Sequence, residues 1–124
     1  MKKITFMLIA LITFSVSAQK KKKNGTVYVD HPAINMVESF QNAWISGDLD
    51  KAKSYLAEDF KIFNGVGLNK NAKGWTKQQF VGNMTWWVNN MDYFQIKRSE
   101  GAYPDAIEYK EGNQLWVQTW DHLY

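Results

Sequence analysis

The sequence contains no cysteine. Disulfides are therefore excluded, and any fold must stand on its buried core alone. A lipid-modified cysteine near the N-terminus is excluded too. Histidine is scarce, with His31 and His122 the only two. Two imidazoles without a thiol make no strong metal signature, so no metal site is expected. Gly65 and Gly67 are followed by loop-forming residues and lack the spacing of a phosphate- or dinucleotide-binding motif. No cofactor is expected. Long apolar runs are missing as well. The run from Ile4 to Val16 is about 13 residues, against roughly 20 for a membrane-spanning helix. No transmembrane span is expected.

That short run does have another use. Lys2 and Lys3 precede it, and Val16-Ser17-Ala18 closes it with small residues. Together these are the three parts of a secretory signal. The expectation is a signal peptide over 1–18 and a secreted or periplasmic protein. Six of the fifteen basic residues lie before residue 24, leaving nine against all twelve acidic ones, a net charge of −3 over 24–124. The basic character of the whole chain thus resides in its N-terminal end. Lys20 to Lys23 could touch anionic lipid or nucleic acid. The reading adopted is a flexible, solvated linker over 19–30, with no nucleic-acid partner.

Beyond it lie about 100 residues, enough for one domain. The chain carries six Trp, six Tyr and seven Phe, part core and part candidate pocket lining. A helix is expected from His31 to Ser46, capped by Asp30, with Pro32 in its first turn. Ile34, Val37, Phe40 or Gln41, and Trp44 recur there at helical spacing. Gly47 ends it in a left-handed conformation, and Asp48 caps a second helix, Leu49 to Leu56. A short strand follows at Phe60 to Phe63. Asn64 to Gly74 reads as loop, with a brief strand at Val66 to Leu68. Thr76 and Gln79 form a capping box for a third helix, whose apolar face carries Phe80, Met84, Trp87 and Val88. Strands are expected at Asp92 to Ser99 and Ala106 to Lys110, then a turn at Glu111-Gly112-Asn113. A long last strand runs from Gln114 to Tyr124. Helices first and strands last is an α+β order.

The run Phe40-Gln-Asn-Ala-Trp-Ile-Ser-Gly-Asp-Leu-Asp50, followed by Tyr55-Leu-Ala-Glu-Asp-Phe60, resembles the start of the nuclear transport factor 2-like superfamily. That group includes the SnoaL-like cyclases and ketosteroid isomerase. The resemblance covers about residues 33–124. It implies a cone-shaped, curved antiparallel sheet wrapped around the N-terminal helices, with a ligand pocket at the open end. It also implies further strands, so a domain over 31–124 is expected to be truncated at its C-terminus. Family members commonly dimerise through the convex sheet face, and a homodimer of that kind is an open expectation.

The resemblance locates candidate chemistry. The isomerases carry their general base, an Asp, seven residues after the alanine matching Ala57; Asn64 stands there. Their oxyanion-stabilising Tyr lies seven residues before the glycine matching Gly47; Phe40 stands there. An amide does not abstract a proton at neutral pH, and phenylalanine has no hydroxyl, so isomerase chemistry of that kind is not expected. Asp59, where the strand opens, is read as structural.

Asp121-His122 is the most suggestive remaining pair. Neighbours in a strand point to opposite faces, so only one of them enters a pocket. An inward His122 would be the one weak catalytic candidate; an outward one is an ordinary surface histidine. Trp116, Gln118, Trp120, His122 and Tyr124 share one face of the expected strand. Leu115, Val117, Thr119, Asp121 and Leu123 share the other, and either could be concave. The candidate pocket is Phe40, Asn64, Trp87, Trp120 and His122. The leading reading is an exported domain binding a small, mostly apolar molecule. A SnoaL-like acid–base enzyme and a dimerising interaction module with a Trp-filled pocket are the alternatives.

The signal reading yields a direct test. The exported protein should begin at Gln19, as read by N-terminal sequencing or intact mass. Recovery of residues 1–18 in a membrane fraction would count against it.

Overall fold

The structure is a computed structural model, and it describes residues 23–63, 65 and 73–124. The expected signal over 1–18, the first part of the linker, Asn64 and the brief strand at Val66 to Leu68 lie outside the described residues.

The architecture is α+β. Helix α1 spans Pro32–Ile45. Its cap is His31 rather than Asp30: the imidazole Nδ1 accepts a hydrogen bond from the Ala33 amide at 3.1 Å. Imidazole here fills the role of a shorter oxygen acceptor, satisfying one of the first-turn amides. Gly47 takes a φ of +80°, which lets the chain reverse without the penalty a Cβ would meet there. The Asp48 carboxylate then accepts from the Lys51 amide and starts helix α2, Leu49–Ser54, which stops short of the expected end at Leu56. Strand β2, Lys61–Ile62, pairs antiparallel with β3, Trp75–Thr76. Thr76 and Gln79 close the expected capping box at the start of helix α3, Lys77–Asn90.

Five further strands complete the fold. Strand β1, Gly25–Tyr28, falls within the stretch read as linker. Strand β4 is Ile96–Arg98, β5 is Asp105–Tyr109, β6 is Gln114–Gln118 and β7 is Asp121–Leu123. Strand β5 is central in a three-stranded antiparallel sheet ordered β1-β5-β6. Gly25 lies so close to this central strand that a Cβ on it would sit 2.7 Å from the Glu108 carbonyl oxygen, so the strand start requires glycine.

The expected long strand from Gln114 to Tyr124 is two strands in two ladders. The β5–β6 register ends at Asp105↔Gln118, because β5 begins there, just after the buried Pro104. Thr119 and Trp120 run past the end of that partner. Strand β7 then pairs with β4 instead, with Lys97↔His122 and Arg98↔Asp121 opposite each other. Backbone bonds between Gln95 and Tyr124, and from the Ser99 amide to the Trp120 carbonyl, extend this ribbon at both ends.

The core lies where the helices meet. Ala43 and Trp44 of α1, Ala52 of α2 and Met84 of α3 form one buried cluster. Ala43 and Ala52 are small enough to let the helix backbones approach, and Trp44 and Met84 supply the bulk. Aromatic rings continue the cluster outward. Phe80 lies 5.3 Å from Phe60 and 6.4 Å from Trp44, and Phe94 lies 5.6 Å from Trp44, measured between ring centroids. Among the described residues, no helix is long and apolar enough to cross a membrane.

Met84 has no exposed surface, whereas Met36 on the same class of element is 52% exposed. Met84→Ala should therefore cost about 2–5 kcal/mol, and Met36→Ala should stay within about 0.5 kcal/mol of the parent. Urea melts of the two variants check this, and similar losses at both positions would contradict the placement of the core.

Candidate functional site

Helix α1 turns a polar stripe, Glu38, Gln41 and Asn42, away from its core face. The β4–β7 ribbon lies opposite. Cross-strand partners point to the same side of a ribbon, so Arg98 and Asp121 emerge together. The Asp121 carboxylate accepts a hydrogen bond from the Gln41 amide at 2.9 Å, and the Arg98 guanidinium forms an ion pair with Glu38. Between helix and ribbon lies an open cleft of about 180 Å³, with Ile96 contributing its apolar wall. Two carboxylates, one guanidinium and two amides thus face one space. Each carboxylate retains an acceptor lone pair for a ligand donor.

The alternation within β7 answers which of Asp121 and His122 turns toward α1: it is Asp121. His122 is exposed on the other side, opposite Lys97 and 6.0 Å from the Tyr124 ring. The Lys97 ammonium in turn lies over that ring, 5.7 Å from its centroid. Phe40 and Trp87 sit on the aromatic cluster instead, 6.3 Å from Phe80 and 5.8 Å from Phe94 respectively. Trp120 is 44% exposed beside β7. The structure therefore brings Phe40 and Trp87 to one body of packed rings, and places Trp120 and His122 apart from it on the ribbon. Asn64 lies outside the described residues. The residues that sequence reasoning missed are Glu38, Gln41 and Arg98. A charged residue on a helix flank reads as solvated surface until a strand is seen to bring its counter-charge.

A second polar group ties the other end of α1 to the sheet. The Tyr28 hydroxyl donates to the Glu108 carboxylate at 2.9 Å. The His31 Nε2 lies 3.6 Å from the other carboxylate oxygen. Because Nδ1 accepts from the Ala33 amide, the proton of the neutral ring resides on Nε2 and faces Glu108. Strands β1 and β5 and the start of α1 thus meet at one carboxylate.

On the same sheet, register places Val27, Ile107 and Trp116 in a row across β1, β5 and β6. The row lies on the face opposite Ala106 and Val117. Ala106 is fully buried, and Val27 and Trp116 are 59% and 58% exposed, so the Val117 side of β6 is inward and the Trp116 side is outward. Among the described residues, no three His, Asp or Glu side chains converge in a way that could hold a metal ion. Compared with known proteins, the chain matches no family model, no curated protein and no solved structure.

The Glu108 contact has a titration signature. The hydrogen bond to Glu108 comes first among the causes that hold the Tyr28 hydroxyl above the ordinary tyrosine range, with loss of water and the carboxylate charge adding to it. A raised value means that the contact stabilises the fold below the unfolded tyrosine value, and that this contribution is lost as pH rises through the folded one. Tyr28 should accordingly ionise late in an NMR-monitored alkaline titration. In Glu108→Ala it should return to the ordinary range, and a Tyr28 that still ionises late would remove Glu108 as the cause.

Proposed function

We propose that the protein is an exported domain of the nuclear transport factor 2-like kind. It binds a small molecule with a mostly apolar body, whose polar head enters the cleft between α1 and the β4–β7 ribbon. The helix break at Gly47-Asp48, the helices preceding most of the sheet, and the all-antiparallel pairing support the family reading. The observation that carries the binding reading is the cleft itself, with Glu38, Gln41, Arg98 and Asp121 converging on about 180 Å³. That volume is below the roughly 300–1,000 Å³ of a site enclosing a drug-sized ligand. It suits a head group, with the apolar body lying in the cone-shaped pocket that the family resemblance implies. In this reading Phe40 and Trp87 form the packed wall, and Asn64 orients the ligand through one donor and one acceptor.

A second reading, an acid–base enzyme of the SnoaL-like kind, draws support from one feature. Asp121 is partly buried and faces the cleft, the position in which a proton-transferring carboxylate would be useful. The catalytic candidate in that reading is Asp121 rather than His122.

Thermal-shift screening separates the possibilities. The probes are fused-ring apolar compounds bearing a hydroxyl, an amine or a carboxylate. A compound present at a hundred times its dissociation constant adds about 2.7 kcal/mol of stability, a shift of several degrees or more. At least one class should raise Tm, and both Asp121→Asn and Asn64→Leu should shrink that rise. Phe40→Ala is unsuitable, since loss of a packed ring costs roughly 3–5 kcal/mol by itself. A flat response across all three classes would reject the binding reading. Turnover of a bound compound by the parent, abolished in Asp121→Asn, would favour the enzyme.

A further inference from the structure

Strand β6 is an edge of its sheet, with β5 on one side and no strand on the other among the described residues. Its five residues are Gln114-Leu115-Trp116-Val117-Gln118. None is charged, none is proline, and Leu115 and Trp116, on opposite faces, are 49% and 58% exposed. Edge strands are ordinarily protected from pairing by charge, proline, a bulge or a covering segment. Strand β6 itself carries no charge and no proline.

The order of those residues says what fits the edge. Read in either direction, the strand is glutamine, aliphatic, tryptophan, aliphatic, glutamine. An antiparallel pair of identical strands related by a two-fold axis through Trp116 sets Gln114 against Gln118, Leu115 against Val117, and Trp116 against itself. Every position then meets its own chemical kind, and no like charges oppose each other.

The backbone supports the same register. The Lys110 amide donates to the Asn24 carbonyl at 2.7 Å. Alternation along β5 therefore directs the backbone groups of Ala106 and Glu108 toward β1, and those of Asp105, Ile107 and Tyr109 toward β6. In β6 it follows that Gln114, Trp116 and Gln118 use their backbone groups on β5. The amides and carbonyls of Leu115 and Val117 face outward. Under the two-fold at Trp116 these outward groups meet as hydrogen-bonded Leu115–Val117 pairs. The central Trp116 pair is then of the non-hydrogen-bonded type, in which side chains approach most closely and aromatic pairs contribute most naturally.

We propose that two copies of this chain associate edge to edge through β6, forming a continuous six-stranded sheet centred on a Trp116–Trp116 cross-strand pair. The outward row, with Val27 and Trp116 exposed and Ile107 half-buried between them, then runs uninterrupted from one copy into the other. This association is distinct from packing two sheets face to face. There the contact would be shared across the whole row and the outward amides of β6 would remain unpaired.

The test exploits the missing cysteine. Trp116→Cys introduces the sole thiol of the chain. Non-hydrogen-bonded partners lie about 4.5 Å apart at Cα, within the range a disulfide spans. Under mild oxidation this variant should cross-link to a covalent dimer within the time that Val27→Cys, on the same outer face but on β1 at the opposite edge of the sheet, remains monomeric. Sedimentation of the cysteine-free protein should give a dimer mass. Trp116→Lys should convert it to monomer by opposing two ammonium groups, while Val27→Lys leaves the dimer intact. Circular dichroism of each variant controls for folding, and both positions are exposed enough to accept the change. A monomer in the parent protein overturns the proposal, and so does a dimer broken by Val27→Lys but spared by Trp116→Lys. A covering segment of the same chain would also give a parent monomer.

Discussion

The contact on which the rest depends is Trp44 lying across α3. Its indole is 9% exposed, and the indole N–H reaches the Met84 carbonyl at 3.4 Å. The ring therefore buries its apolar body without leaving its donor unsatisfied. Met84 closes the same space from the other helix. Phe80 and Phe94 both pack against the indole, so α1, α3 and the segment leading into β4 take their positions from one side chain. With no disulfide to hold these elements, and few residues fully buried, the fold is anchored by a small number of large rings.

That anchorage leaves the opposite flank of α1 free for polar work. The helix is held at its start by His31 against Glu108 and along its flank by Glu38 and Gln41 against Arg98 and Asp121. One helix thus spans two separate ladders, the β1-β5-β6 sheet and the β4–β7 ribbon. Half-exposed ion pairs contribute little to stability, since water screens them. Their effect here is on register: Arg98 and Asp121 meet α1 only when β4 and β7 are paired as observed. A further exposed link does the same for the middle of the chain, where the Lys77 ammonium bridges Glu58 and the Leu56 carbonyl and holds the Glu58 carboxyl below its usual range.

Local signals carried most of the helical half of the fold. Gly47-Asp48, the Thr76–Gln79 capping box and the apolar spacing of Phe80, Met84 and Val88 each act within a few residues, and each is legible without knowledge of partners. The strands were less legible, because pairing is decided at a distance. Thr26, Val27 and Tyr28 are residue types that favour strands, but the stretch follows a run of lysines and reads with it as linker; what makes it a strand is the edge that β5 offers. The break at Thr119 and Trp120 is likewise set by where β5 starts rather than by any turn residue. For the candidate site, alternation correctly restricted the choice to one of Asp121 and His122 but could not select it. The selection comes from Gln41, contributed by a helix some 80 residues away.

The same long-range pairing bears on the order in which the chain acquires structure. Tyr28 and Glu108 are 80 residues apart, whereas β5 and β6 are joined by a short turn and α1 and α2 by a single reversal. Contacts between distant segments pay the larger loop-closure entropy and form later. A chain emerges from its N-terminus, so β1 is the first of the described strands to be synthesised, yet some 80 residues must follow it before its partner exists. During that interval its backbone amides and carbonyls have no protein partner, and the open side of β5 is the position that any competing strand would have to occupy. The strand that appears first is thus the natural last step of folding, and the one through which a nascent chain is most open to intermolecular error.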